Sequence, residues 1–139
     1  MTAEGMRALI VHEAPFFAPI EETLRGVGYS RFDFASTAAA ARAAARREAP
    51  DLIVTAYRLR DGTIRDSLDA ICGARECPIV FITIETDAVL NWLPSAVIVT
   101  RPYEQIALEI AVEEAVARPF RRRNARPRPI GGHGALIYS

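Results

Sequence analysis

Short apolar runs and stretches with apolar residues at helical spacing take turns along this chain. Arg7-Ala8-Leu9-Ile10-Val11 is a continuous apolar run after a charged lead, the pattern of a strand buried on both faces. Phe17, Ile20, Leu24 and Val27 follow at near-helical spacing, with Gly26 or Gly28 near the helix end. Pro15 suits a first helical turn, whereas Pro19 predicts a kink or a delayed start. A weaker strand is expected around Phe32 and Phe34. Ser36 or Thr37 then caps an alanine-rich helix reaching Ala49. Pro50-Asp51 opens the strand Leu52-Ile53-Val54-Thr55-Ala56, which ends in a turn at Arg60-Asp61-Gly62. Leu68, Ile71 and Cys72 mark a helix. Ile79 to Thr83 is the most strand-like run, and Ala96 to Thr100 is a fifth. A short helical piece around Trp92 separates those two, and the last helix spans Tyr103 to Arg118.

Strands alternating with helices predict a parallel sheet covered on both faces, a three-layer α/β sandwich. In such folds the functional crevice lies at the carboxyl ends of the strands. At 139 residues the chain suits one domain, and 50% hydrophobic content is enough to build its core. No apolar run reaches the roughly 18 residues of a membrane span. The opening MTAEGMRALIV carries acid ahead of its short apolar stretch and predicts no leader, so a soluble, cytoplasmic chain is expected.

The net charge is zero but segregated. All 17 acidic residues precede Arg118, against 11 basic ones, and the remaining six basic residues run from Arg118 onward. Residues 1–118 thus form the expected domain and 119–139 a basic, proline-broken tail. That tail holds no helix-turn-helix or other reading module, which makes nucleic acid an unfavoured partner. Its Gly131-Gly132-His133-Gly134 piece lacks the lysine of a phosphate-binding loop. Cys72 and Cys77 have no zinc spacing and form no metal motif with His12 or His133; reduced structural thiols are expected.

Four segments at the strand ends resemble one family, the receiver domain of two-component response regulators: LIVHEAP, PDLIVTAYRLRDG, PIVFIT and VTRPY, in order, over roughly residues 6 to 117. The resemblance implies a flavodoxin-like five-stranded sheet of order 2-1-3-4-5. It also implies a role in phosphorelay signal transduction, in which an aspartate ending the third strand accepts a phosphoryl group beside acid-bound Mg²⁺. Ala56 stands at that acceptor position. His12 and Glu13 stand where two adjacent acids belong, Thr83 keeps the hydroxyl, and Arg101 replaces the lysine before Pro102. Arginine keeps the charge but not the compact donor geometry. An ion pair of Glu13 with Arg101 is expected, and the Arg101–Pro102 bond should be cis, as it typically is in the family. Thr55 and Tyr57 flank Ala56 and should point away from the site, and Asp61 reads as a turn former. Ile98 fills the position where receivers often carry a switching aromatic. The short interval from Thr83 to Arg101 truncates the fourth helix.

The site therefore reads as a degenerate phosphorylation site, with no catalytic residue, no metal and no cofactor. The chain reads as a non-enzymatic pseudo-receiver acting by protein–protein contact, with a histidine kinase or phosphotransferase as the kind of signalling partner. The rival readings are a working response regulator with an atypical acceptor, His12 included, and a nucleic-acid binder acting through the arginine tail. The last helix is apolar nearly all round, which predicts a homodimer through Tyr103, Ile106, Leu108 and Val112. The competing outcome is that Leu136, Ile137 and Tyr138 of the same chain cover that flank.

Overall fold

The computed structural model describes residues 5–73, 75–120 and 136–138. Along the chain run β1 (Met6–Val11), α1 (Phe17–Gly26), β2 (Tyr29–Ala35), α2 (Ala38–Arg47) and β3 (Leu52–Ala56). They are followed by β4 (Arg58–Leu59), β5 (Gly62–Thr63), α3 (Leu68–Cys72), β6 (Ile79–Thr83) and α4 (Thr86–Trp92). The last elements are β7 (Val97–Thr100), α5 (Gln105–Ala117) and β8 (Leu136–Tyr138). The main sheet is parallel, with order β2-β1-β3-β6-β7-β8. The expected order 2-1-3-4-5 is therefore present, extended by one strand.

Alternation of side chains across the strands builds two cores at once. Leu9, Val11, Ile53, Phe81 and Ile98 face α2, α3 and α4. Ala8, Ile10, Val54, Val80 and Val99 face α1 and α5. Runs such as Ala8 to Val11 are apolar throughout because both faces are covered, each residue being at most 1% exposed. On α2 the alanines at 38, 41 and 44 are buried, which lets that helix sit close to the sheet.

Of the two outcomes expected from Pro19, the delayed start is the one found: α1 begins at Phe17 and runs unbroken to Gly26. Pro15 lies in a 3₁₀ turn, Ala14–Phe16, that leads into the helix, so Pro19 falls in the first helical turn, where its missing N–H has no intrahelical acceptor to lose. The turn at Arg60-Asp61-Gly62 closes a small antiparallel hairpin of β4 and β5, and Gly62 takes a φ of 126°, open to glycine at little cost. The fourth helix is short, at seven residues.

The predicted dimer contact needs correction at two residues. Leu108 and Val112 are 0% and 3% exposed and belong to the core shared with Val80, Val97 and Val99. They are spent on the chain's own sheet and cannot meet a second molecule. Ile106, Ile110 and Val116 are the exposed apolar residues of α5, and Tyr103 is half-buried against the same core. The helix is apolar on so many sides because β6, β7, β8 and α1 all pack around it. Beyond α5, Phe120 joins Cys77 by reciprocal backbone hydrogen bonds of 2.7 and 2.8 Å. The Arg-rich run and the glycine piece with His133 lie outside the described residues.

Candidate functional site

The strand ends converge on one cleft of about 400 Å³. Its walls include His12 and Glu13 after β1, Ala56 at the end of β3, Thr83 at the end of β6 and Arg101 after β7. Parallel strands in register bring these residues together, with Ala56 opposite Ile82 and Thr83 opposite Thr100. Ile98 is not part of the cleft; it is fully buried opposite Phe81, inside the sheet.

His12 is 4% exposed, and its Nδ1 accepts the Glu13 N–H at 2.8 Å. The neutral ring therefore carries its proton on Nε2, which is buried with no hydrogen-bond partner among the described residues. Burial, and next the Arg101 charge, depress the His12 pKa to about 4. The imidazole lies 4.3 Å from the Phe16 ring, and the Arg101 guanidinium lies 5.5 Å from the same ring. Arg101 thus has an aromatic ring, Phe16, as its close neighbour. No Glu13–Arg101 ion pair forms among the described residues, which corrects that expectation, and Arg101 Nε is buried without a partner. The Arg101–Pro102 bond is cis, as the resemblance implied.

Three further polar side chains of the cleft are engaged, those of Thr83, Arg58 and Glu85. Thr83 Oγ1 accepts the Glu85 N–H at 2.9 Å, tying the hydroxyl to the lead-in of α4. Arg58 donates through two nitrogens to the Glu85 carboxylate at 2.9 and 2.8 Å across the rim of the cleft. That pairing lowers the Glu85 pKa and raises that of Arg58. The Thr55 hydroxyl donates to the Ala56 carbonyl at 2.8 Å. Tyr57 both borders the cleft and packs its ring 6.2 Å from that of Trp92, so it is closer to the site than strand alternation implied.

Asp61 does more than form a turn. Its carboxylate accepts the Ala38 and Ala39 N–H groups at 2.8 and 3.1 Å, and Thr37 Oγ1 accepts the Ala40 N–H at 3.0 Å. Together they satisfy free donors at the start of α2. These backbone bonds pull the Asp61 pKa below the usual carboxylate value. No local pattern signals the role, because cap and helix are 23 residues apart. The Arg58–Glu85 clasp was equally hidden, spanning 27 residues of sequence.

The sequence matches no family model and no curated protein. Solved structures resemble it in fold. The receiver domain of the PhyR response regulator from Erythrobacter litoralis superposes with a TM-score of 0.70 at 24% identity, over 90% of this chain and 96% of that one. A double mutant of the anti-anti-sigma factor PhyR from Bartonella quintana gives 0.69 at 23% identity, over 80% of this chain. This chain spans 48% of the length of that protein. The receiver domain of the sensor histidine kinase PA1611 from Pseudomonas aeruginosa, which has a magnesium ion coordinated in its active-site cleft, gives 0.67 at 22% identity, over 81% and 98%. The chain has the fold of a response-regulator receiver domain.

Proposed function

We propose that this receiver-fold chain is a signalling module that works by protein–protein contact and accepts no phosphoryl group. The observation that carries the proposal is the methyl group of Ala56 at the end of β3, in the wall of the cleft. A methyl group has no lone pair with which to attack phosphorus. His12, the atypical acceptor that the sequence offers, is buried, with one nitrogen accepting a backbone N–H and the other out of contact with the cleft solvent.

The cleft residues also do not fit the Mg²⁺ that receiver chemistry calls on. Mg²⁺ needs several oxygen ligands in near-octahedral array. Of the two carboxylates in the cleft wall, Glu85 is held by Arg58, leaving Glu13, while Arg58, Arg60 and Arg101 bring three positive charges. A donor-rich, cationic cleft opposes a divalent cation. The reading therefore assigns no catalytic step, and a histidine kinase or phosphotransferase is the class of partner proposed to recognise the fold.

Amide NMR spectra test this reading. Adding Mg²⁺ and acetyl phosphate should leave the resonances of Thr83, Ile98 and α4 in place. Saturating shifts at Thr83 and α4 at micromolar Mg²⁺, or slow-exchange changes on adding acetyl phosphate, would overturn it.

A further inference from the structure

Outside the cleft, two thiols meet in the core that the sheet shares with α2, α3 and α4. Cys72 is the last residue of α3, and Cys77 lies just ahead of β6; both are free and buried. The Cys72 thiol donates a hydrogen bond to the Cys77 sulfur. That contact raises the Cys72 pKa, with burial adding to it, and lowers the Cys77 pKa against burial by stabilising its anion. The Arg75 charge favours the anion of both. The two partners are held differently. Cys77 is fixed by its reciprocal backbone bonds to Phe120, and the next residue, Pro78, accepts the Ile53 N–H at 2.9 Å. Cys72 ends a helix of five residues, little more than one turn. Gly73 follows at a φ of 62°, with nothing within 4 Å of the position that a Cβ would take, so this turn has room to re-set. From hydrogen-bond contact, the sulfurs need to approach by roughly 2 Å to reach disulfide bond length.

We propose that Cys72 and Cys77 form a peroxide-sensitive modification site, closing to an intramolecular disulfide that an external thiol reopens. The Cys77 thiolate attacks a peroxide oxygen: the S–O bond forms, the O–O bond breaks, and the leaving hydroxide takes up the proton that Cys77 gave up. Cys72 then attacks the sulfenic sulfur, forming the S–S bond and breaking the S–O bond, and its proton leaves with the hydroxyl as water. The two sulfurs together lose the two electrons that reduce the peroxide. The order follows from the contact, since Cys77 is the sulfur that receives the hydrogen bond and Cys72 the one beside it that resolves the intermediate. Phe120 governs access. It is half-buried, packs against this core and joins Cys77 in an isolated bridge, whose opening admits a water-sized oxidant. The bond ties the end of α3 to the lead-in of β6, the strand that ends at Thr83 in the cleft wall. The proposal is independent of whether the cleft accepts phosphate.

The test treats the folded full-length protein with millimolar hydrogen peroxide, then unfolds it in guanidinium with iodoacetamide and weighs it intact. Untreated protein should take up two alkyl groups. Treated protein should take up none and weigh two hydrogens less, and dithiothreitol should restore both alkylation sites. Cys72→Ser should stop at a sulfenic acid on Cys77 that dimedone captures, Cys77→Ser should react many-fold more slowly, and Phe120→Ala should speed disulfide formation several-fold. Two alkyl groups still taken up after peroxide, sulfinic acid in place of the disulfide, or a disulfide joining two molecules would each overturn the proposal. Equal rates in Cys72→Ser and Cys77→Ser would overturn the order of attack, and an unchanged rate in Phe120→Ala the route of access. The first comparison uses the wild-type chain alone, so it stands even where a variant fails to fold.

Discussion

His12 is held in its uncharged form by burial and by Arg101, and this links the cleft to the stability of the whole fold. Its pKa falls from 6.5 unfolded to about 4 folded, so the unfolded chain takes up a proton that the native chain refuses in that window. Above pH 6.5 both states are neutral and the group contributes nothing. As pH drops from 6.5 to 4, stability falls by up to about 3 kcal/mol, and it levels off below that. Urea unfolding at pH 7, 5 and 4 should show this loss, and His12→Phe should flatten it; an unchanged slope in the variant would place the effect elsewhere. At the acceptor position, Ala56→Asp should give no phosphorylation on its own, because His12 still stands where the resemblance places a second acid. The identities of these residues were legible in the sequence. Their pairings were not: no Glu13–Arg101 ion pair forms among the described residues, and the Phe16 ring is instead the neighbour of both His12 and Arg101.

At the scale of elements, local pattern identified every strand buried on both faces and the main helices, because apolar runs and helical spacing report burial directly. It misassigned the surface of α5. Leu108 and Val112 looked available for a partner only because sequence does not say how many neighbours a helix has, and β8 and α1 are two of them. Leu108→Ala should therefore cost about 2–5 kcal/mol of unfolding free energy, as expected of a large-to-small change in a packed core. Val112→Glu should unfold the chain rather than dissociate a dimer; a folded, soluble Val112→Glu protein would contradict this placement. Asp61→Ala should lower the urea midpoint by stripping α2 of two of its capping bonds, while Asp61→Asn, which retains an acceptor, should recover part of the loss.

Across the whole molecule, the sheet and its two cores follow the pattern of the response-regulator receiver fold, while two long-range features distinguish the chain. The first is the C-terminal strand on β7, which no spacing rule could fix because its partner lies nearly 40 residues upstream. Among the described residues no helix is long and apolar enough to cross a membrane. The second is the cleft, where Thr83 accepts the Glu85 N–H and Arg58 pairs with the Glu85 carboxylate. Intact mass spectrometry of the full-length chain after incubation with acetyl phosphate and Mg²⁺ tests that account most directly. The account predicts the unmodified mass for the wild-type chain, with no phosphoryl group on any residue. A phosphoryl adduct in good yield, acid-labile or acid-stable, would contradict it.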